Sequence, residues 1–561
     1  MLTTLAAPAF AATWRIEDGD ITVKAGETEG TNKVSQGTNK DVVDTNTIIT
    51  NQNKDTASSH TVTIEAKDKD DKVEVTLKDV NIDTSSRKEA AVSVTGSGNT
   101  TIKLDGDNHL TGGNGIYSNS SGNLTISGDE NDSLTAQGGD SRNGIYSVGG
   151  DVTISGGTVT ATGGNSTGSD GSGGYGIFST NTTTISGGTV TATGGDSTGS
   201  YSSGGSGIYS SDVAISGGST VTANGGSGTI SGGNGICSSN SSVAISGGTV
   251  TAKGGSGEDG GYGITSNGGV TVSDGTVTAK GGNGGSLSGG YGIHSFDPVA
   301  ISGGTVTAKG GSGEDGSGGS GISSRSGVAI SGGTVNANGG VGKNGSGGSG
   351  IFSFGRVAIS GGTVEAAGGV GSSRNSGSGI YSSGIDLSGS LELTAKAGSP
   401  NGKALSQNGK ELNLDAIKDK LGPGAKVTAT DADGKVNQVS IPRPVEPEES
   451  SSSSDGGSAA PSAPVSSLPG LTVTDKDGQR ISYTSTQSGN TLTVCVGRFT
   501  ASFRISLAAL RQLRAEGIDT ITFQTILCST TLSVDELLAM GGEDAEVVLT
   551  HRFTDSSLTV G

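Results

Sequence analysis

The chain is poor in the residues that build ordinary globular cores. Of 561 residues, 3% are aromatic, 16% are charged and 30% are hydrophobic. A chain of this length would normally fold as several compact domains, but so few large apolar side chains cannot fill several compact cores. The composition therefore favours an elongated fold with one thin core.

Cysteine, proline and basic residues are also scarce, and each scarcity argues against a class of protein. Three cysteines (Cys237, Cys495 and Cys528) are too few for a disulfide scaffold, and no pair has metal-ligand spacing, although Cys495 and Cys528 could pair or remain free thiols. The 105 glycines follow no Gly-X-Y period, and only 10 prolines accompany them, so the chain is not collagen-like. A net charge of −19 disfavours nucleic-acid binding, which needs a basic surface, and suits a soluble extracellular protein.

The amino terminus resembles the end of a secretion signal. Residues 1–12 contain Ala9-Phe10-Ala11, the small-x-small pattern that precedes a signal-peptidase cut. We read the segment as a signal-peptide remnant, with a short disordered terminus as the alternative, and expect a secreted or cell-surface protein. No later segment approaches 18 consecutive apolar residues, so the sequence predicts no transmembrane helix.

What the chain has in abundance is a repeat. Gly-Ile-x-Ser recurs from Gly115 to Ser382, and from Ile264 to Ile380 its isoleucines are spaced by 29 residues. Val-Ala-Ile-Ser-Gly-Gly, as at Val299–Gly304, and Thr-Val-Thr-Ala, as at Thr305–Ala308, keep the same period. A fixed period in this range is typical of a repeat architecture.

Each repeat holds three short alternating segments separated by glycine-rich corners, which predicts a parallel β-helix with three strands per coil. The alternation places Val299, Ile301, Val306 and Ala308 on one inward face with Ile293. We expect the glycine pairs to supply positive φ at the corners, and the variable segments before each Gly-Ile to emerge along one edge. Because a single coil buries so little, the coils must stack to be stable.

The composition and the secondary-structure pattern of the sequence change along the chain. Trp14-Arg15-Ile16 is a candidate cap, and Leu412–Leu421 has the helical spacing of a second cap. The final segment alternates strand patterns with helix candidates at Leu507–Glu516 and Val534–Met540, which predicts a small α+β module of unknown role. The predicted parts are a signal-peptide remnant (1–12), opening coils with a cap (13–111), regular repeats (112–384), closing coils with a cap (385–441), a Pro/Ser/acidic linker (442–470) and the module (471–561).

The residue after each Gly-Ile is the first candidate for binding. It faces outward if the isoleucine faces inward, and it holds most of the few aromatic residues. These side chains would form a platform on which sugar rings stack; the alternative is a ladder that only protects the sheet. The candidates are Tyr117, Tyr146, Phe178, Tyr209, Phe352 and Tyr381, with Cys237, Thr265 and Ser323 interrupting the column.

A column of cations is the second candidate. Lys253, Lys280 and Lys309 follow Thr-Ala in three successive coils, and acidic pairs such as Glu258-Asp259 and Glu314-Asp315 stand five residues further on as possible ion-pair partners. The functional interpretation is a site for a uronate-bearing polysaccharide. The alternative is a solvated surface.

Metal and catalytic motifs are weak. Gly254–Asp259 superficially resembles a calcium nonapeptide, but it does not recur every nine residues, and Gly261 stands where a hydrophobic residue should follow. The four histidines are scattered, and the acidic residues lie in the glycine-rich segments rather than on the strands. We therefore predict no cofactor, no metal ligand and no catalytic residue.

The segment Leu104–Thr111, followed by Gly-Ile-Tyr and the Ile-Ser-Gly-Gly-Thr-Val coils, resembles a known group. It is similar to the secreted bacterial carbohydrate-binding domain-containing family of right-handed parallel β-helix proteins, which share the shape of polysaccharide lyases without the lyase residues. The resemblance covers about Trp14 to Ser383. It implies binding of plant-type polysaccharide, in some members with calcium, although no family calcium ligand maps onto a position of this chain.

The sequence thus predicts a monomeric, secreted or cell-surface β-helix protein that binds polysaccharide without turning it over. The alternative is a structural adhesin or spacer rod that displays the carboxy-terminal module. A polysaccharide lyase is the third hypothesis.

Overall fold

The computed structural model of the protein describes residues 12–442 except 170 and 373–375, and residues 470–560 except 476–477, 482, 489, 497–499, 526–528, 541–544 and 553–554. The predicted signal-peptide remnant and nearly all of the predicted linker lie outside these residues. The chain forms two compact units that divide near residue 445, and each unit is described by itself.

The first unit is a parallel β-solenoid of about 15 turns, as the repeat predicts. Each regular turn contributes three strands, which we call the first, second and third face in chain order. Successive turns pair in parallel and in register, so that Ile264, Ile293 and Ile322 follow one another along the first face.

The strands of each face continue from turn to turn, and four long strands bend around a corner to serve two positions. The first face contains Ile21–Ala25, Val62–Ala66, Val92–Gly96, Ile116–Ser120, Ile145–Ser147, Ile177–Ser179, Ile208–Ser210, Ile236–Ser238, Ile264–Ser266, Ile293–Ser295, Ile322–Ser324, Ile351–Ile359, Ile380–Leu387 and Leu405–Gln407. The second face contains Thr13–Arg15, Ile48–Thr50, Lys72–Lys78, Asn99–Asp105, Leu124–Ser127, Val152–Ile154, Thr182–Ile185, Asp212–Ile215, Val243–Lys253, Val270–Lys280, Val299–Ile301 and Gly327–Ile330, and then the later parts of Ile351–Ile359 and Ile380–Leu387. The third face contains Asn81–Asp83, Asp107–Gly112, Ser133–Gly138, Thr158–Thr162, Thr189–Thr193, Thr220–Asn224, the later parts of Val243–Lys253 and Val270–Lys280, Thr305–Lys309, Thr334–Asn338, Thr363–Ala367, Glu392–Lys396 and Lys426–Thr430.

The core is a thin file of aliphatic side chains along the solenoid axis. Ile293, Val299, Ile301, Val306 and Ala308 are all buried, which confirms the predicted register. A one-residue slip would have placed the outward side chains in the core instead.

Serine also belongs to this core, which the sequence did not reveal. The serine of each Ile-x-Ser segment points inward at the corner between the first and second faces. Ser238 and Ser266 each donate a hydrogen bond of 2.7 Å to a backbone carbonyl of the preceding turn. The hydroxyl thus satisfies a carbonyl at a point where the chain turns and strand pairing stops.

Glycine has two different roles in the repeat. In the Val-Ala-Ile-Ser-Gly-Gly motif a glycine with positive φ turns the chain between the second and third faces, for example 72° at Gly304 and 79° at Gly333. This corner is as predicted. The glycine pairs of the variable segments, such as Gly254-Gly255, do not have positive φ, so these pairs do not have the role predicted for glycine pairs at the corners.

Those variable segments pack against one another instead of extending freely from one edge. One glycine from the outgoing half of each segment and one from the returning half alternate in a continuous series of N–H to C=O hydrogen bonds of 2.7–3.0 Å. We call this series the glycine ladder. Its members are Gly164, Gly174, Gly195, Gly205, Gly226, Gly233, Gly255, Gly261, Gly282, Gly290, Gly311, Gly319, Gly340, Gly348, Gly369, Gly377 and Gly398.

The ladder requires glycine because backbones approach where a side chain would stand. A Cβ added at Gly282 would lie 1.8 Å from the Gly255 carbonyl oxygen, and one at Gly261 would lie 2.0 Å from that of Gly233. No real Cβ tolerates such distances. The abundance of glycine therefore reflects close packing of backbone rather than loop flexibility.

Both ends of the solenoid are covered by additional elements. At the amino-terminal end, Asn32–Gln36 and Asn39–Asp44 extend the first face as antiparallel strands, and Trp14 donates a hydrogen bond of 2.8 Å from Nε1 to Asp44. A 3-10 helix at Ile16–Asp18 follows the first strand. The carboxy-terminal end carries short strands Lys410–Glu411 and Val436–Ser440 and a 3-10 helix at Leu414–Lys420.

The second unit is a small α+β module with its own core. Helices Leu507–Ala515 and Val534–Ala539 lie where the sequence predicts them. Two four-stranded sheets contribute Phe503 and Phe523 to the core, with ring centroids 5.5 Å apart. The sheets are formed by Leu471–Thr474, Thr500–Ser506, Glu546–Arg552 and Asp555–Val560, and by Thr484–Ser488, Thr491–Cys495, Thr520–Gln524 and Ser529–Ser533.

Candidate functional site

The six predicted aromatic side chains all lie on the outward side of the first face. They form two stacks along the solenoid axis. In the longer stack, the ring centroids of Tyr117 and Tyr146 are 5.6 Å apart, those of Tyr146 and Phe178 are 4.8 Å apart, and those of Phe178 and Tyr209 are 5.4 Å apart. The shorter stack joins Phe352 and Tyr381 at 5.3 Å.

Because the rings stack, only part of the aromatic surface of the column is exposed to a ligand. The planes of Phe178 and Tyr209 differ by 3°, and those of Tyr117 and Tyr146 by 13°, so successive rings cover each other's faces. Inside a stack only ring edges remain open. A ring face is uncovered at the end of a stack, where the adjacent turn carries a small residue. Ser93 lies beside Tyr117 in this way, and Ser323 lies beside Phe352.

A second aromatic column runs beside the first and was missed from the sequence. Tyr175, Tyr262 and Tyr291 each precede Gly-Ile, three residues before the outward column position. Tyr175 packs against Phe178 at 5.3 Å and Tyr209 at 5.0 Å. The motif Tyr-Gly-Ile was the available signal, but the sequence does not show that these two positions are neighbours in space.

This second column fills part of the predicted gap. Tyr262 and Tyr291 stack with centroids 5.3 Å apart, and His294 packs against both. Phe296 meets His294 edge-on, and the guanidinium of Arg325 lies 4.2 Å from the Phe296 centroid. We call these five side chains the central cluster. The column therefore carries aromatic residues in three patches.

Burial moves the titration of the central cluster away from neutral pH. It raises the pKa of Tyr262 to about 12 and also raises the pKa of Tyr291. Burial, with a contribution from the charge of Arg325, lowers the pKa of His294 to about 4. Nδ1 of His294 is buried without a hydrogen-bond partner, so the imidazole is neutral at physiological pH and packs as an aromatic ring.

The three predicted lysines form the expected column on the third face. Lys253, Lys280 and Lys309 are in register and exposed. The predicted acidic partners do not reach them. Glu314 pairs with Lys343 of the following turn instead, and none of the three lysines forms an ion pair with a described residue.

Other sequence candidates have plain structural roles. Gly254 and Gly255 of the calcium-like segment pack in the glycine-rich layer, and Gly255 belongs to the glycine ladder. No group of three or more His, Cys, Asp or Glu side chains that could hold a metal ion occurs in the described part of the chain. Cys495 is a free thiol, while Cys528 lies outside the described residues. None of the described helices is long and apolar enough to span a membrane.

Comparison with known proteins supports the architecture. Six segments match the family model described as Beta helix repeat, at residues 152–177, 184–208, 243–264, 299–322, 328–350 and 357–384. No curated protein and no solved structure matches the chain. The matched segments lie within the regular turns and include ladder glycines such as Gly164, Gly255 and Gly311. The chain is thus a parallel β-helix repeat protein.

Proposed function

We propose that the protein binds polysaccharide without catalysis, outside the cell, through aromatic side chains on the first face of its β-helix. The observation that carries this proposal is the set of uncovered ring faces at the ends of the aromatic stacks. A pyranose presents a flat C–H surface that packs on such a ring. The faces recur along one straight side of the solenoid, which suits an extended, repetitive ligand.

The contact with each ring need not be strong. Because a long glycan can touch several patches at once, its overall affinity exceeds that of a single contact. The rigid solenoid holds the rings in place, so little ordering of the protein opposes binding.

The titration of two polar groups in the central cluster favours binding without turnover. General acid–base catalysis works best with a pKa near the working pH. The pKa of Tyr262, about 12, and the pKa of His294, about 4, both lie outside that range. These groups are suited to packing rather than proton transfer.

The proposal is tested by retention of the full-length protein on a panel of insoluble neutral and acidic polysaccharides. Tyr117→Ala/Tyr146→Ala/Tyr209→Ala leaves only Phe178 of the longer stack, and Phe352→Ala/Tyr381→Ala removes the shorter one. We expect each variant to weaken retention by about ten-fold or more. Tyr201→Ala is the matched control because Tyr201 is 76% exposed but belongs to neither stack. Circular dichroism confirms that the variants remain folded.

Two results would overturn the proposal. One is a wild-type protein that no glycan retains; the other is retention that both stack variants leave unchanged. In either case the spacer hypothesis takes its place, since the second unit has a separate hydrophobic core and is a candidate for display.

A further inference from the structure

A pocket opens on the first face where the longer aromatic stack ends. Beyond Tyr117 the outward column continues with Ser93 and Thr63, so no ring projects from the surface there. The resulting cavity has a volume of about 420 Å³ and is bounded by the segment 87–90. This volume is within the range of small-molecule sites.

Tyr117 forms the end wall of this pocket. Tyr146 covers one face of its ring, and the other face is turned toward Ser93, where no ring follows. A sugar ring placed over Ser93 and Thr63 would therefore continue the stack. The two hydroxyls on the floor are positioned to meet the hydroxyl groups of such a ring.

The pocket is cationic although the chain has a net charge of −19. Arg87, Lys88 and Arg142 line it, and Glu89 is the one acidic residue among its lining. Arg87 is held by ion pairs to Asp20 at 3.0 Å and to Glu89 at 2.6 Å. Among the described residues, neither Lys88 nor Arg142 forms an ion pair, so two cations remain without a counter-charge.

The segment that carries two of these cations is fixed in place. Lys88 has φ of 57°, a left-handed conformation that is unfavourable for a non-glycine residue. The Gly113 N–H donates a hydrogen bond of 2.5 Å to the Glu89 carbonyl, and a Cβ at Gly113 would lie 2.5 Å from the Lys88 carbonyl oxygen. An unfavourable backbone conformation held by close packing is typical of functional segments.

Asn114 adds hydrogen-bond donors to the lining of the pocket. Asn114 accepts a hydrogen bond from the Asn143 N–H through Oδ1, at 2.9 Å, which leaves its amide N–H groups for a ligand. Arg142 enters from a different turn than Arg87 and Lys88. Cations and N–H donors thus approach the same space from two sides.

We infer that this pocket binds a sugar residue that carries a sulfate or phosphate monoester. A carboxylate presents two oxygens in one plane, which a single guanidinium satisfies, whereas a tetrahedral ester presents three oxygens in different directions. Lys88 and Arg142, which reach the pocket from two turns without a counter-charge, match the second arrangement together with the Asn114 amide. The inference rests on the proposed function for the sugar ring, which stacks on Tyr117, while the cations recognise the ester.

The first experiment measures binding of the full-length protein to κ-carrageenan, a sulfated galactan, and to the same galactan after chemical desulfation. We expect the sulfated chain to bind at least about ten-fold more tightly. Lys88→Gln/Arg142→Gln should remove this preference, while Lys410→Gln/Lys420→Gln, with the same change of charge at two exposed lysines of the carboxy-terminal end, should retain it. Equal effects of the two double variants would overturn the inference, and so would polygalacturonate binding as tightly as carrageenan through the same residues.

The second experiment tests the anion site without any glycan. An amine-reactive reagent should label Lys88 more slowly in the presence of inorganic sulfate or phosphate, while the labelling of the exposed Lys410, read by mass spectrometry, is unchanged. The more protective of the two ions identifies the preferred ester. If the anions protect Lys88 but no glycan retains the protein, the proposed function is refuted and the anion site stands. If neutral glycans retain the protein but there is neither protection nor a preference for sulfate, the anion site is refuted and the proposed function stands.

Discussion

At the scale of single residues, the most constrained positions are glycines rather than large apolar side chains. In the glycine ladder a substitution cannot be absorbed by a rotamer change, because the obstructing atom is a backbone carbonyl oxygen of the neighbouring turn. The same segments also contain glycines with free space around them. The chain therefore offers matched pairs that separate packing from flexibility.

We expect Gly290→Ala to destabilise the solenoid strongly and Gly285→Ala to have little effect. A Cβ at Gly290 would lie 1.9 Å from the Gly261 carbonyl oxygen, whereas the nearest atom to a Cβ at Gly285 is 3.7 Å away. Forcing the turns apart should cost about 3 kcal/mol or more, and the control should stay within about 0.5 kcal/mol. Chemical denaturation measures both. Similar stability of the two variants would mean that the ladder tolerates side chains.

His294 should make stability depend on pH. Its folded pKa of about 4 lies below its ordinary value of 6.5, so the unfolded chain binds a proton first and stability falls as pH drops from about 6.5 toward 4. Between pH 7 and about pH 5 this amounts to about 2 kcal/mol.

Thermal melts of wild type and His294→Gln over that range test this expectation, with exposed His109→Gln as the control. Asp259, whose pKa is raised by burial, responds in the opposite direction, but it is present in all three proteins and cancels in the comparison. An identical pH dependence of wild type and His294→Gln would show that the imidazole is not buried as a neutral ring.

At the scale of the element, a strand of this solenoid is stable only through its neighbours in the turns before and after it. Val272, Ile301 and Ile330 follow one another in the core of the second face. Each buries too little to order its own turn, so neighbouring turns share the cost of ordering.

Ile301→Asp should therefore disrupt several turns together, because an unpaired charge in the core cannot be solvated. Hydrogen exchange should accelerate in the strands Val270–Lys280 and Gly327–Ile330 as well as in the substituted strand. Ala300→Asp is the control, since the same outward column already contains Asp386. Loss of protection confined to Val299–Ile301 would contradict cooperative stacking.

The sequence predicted those parts of the fold that side chains encode. The alternation at Val299 and Ile301 predicted the register, the period predicted a repeat, and the three alternating segments within it predicted three strands per turn. The glycine ladder was missed because it joins backbone to backbone, and no side chain records which glycine meets which. Tyr175 and Arg325 were missed as parts of the aromatic patches because sequence spacing defines columns but not which columns lie side by side.

At the scale of the whole molecule, the two units have separate hydrophobic cores, one a file of aliphatic residues and the other centred on Phe503 and Phe523. At physiological ionic strength, salt screens the electrostatic field of the net charge of −19 beyond about 8 Å. An anionic ligand in the cationic pocket is therefore governed by the side chains that line the pocket more than by distant acidic residues.

The glycine ladder has a consequence for survival among proteases. Segments rich in glycine and serine are usually the first to be cut, since a protease must draw several residues of accessible chain into its cleft. Here a segment would first have to lift away from the turns on both sides, and it would break backbone hydrogen bonds to each. The part of the chain whose composition most resembles a loop is thus expected to be among its least digestible.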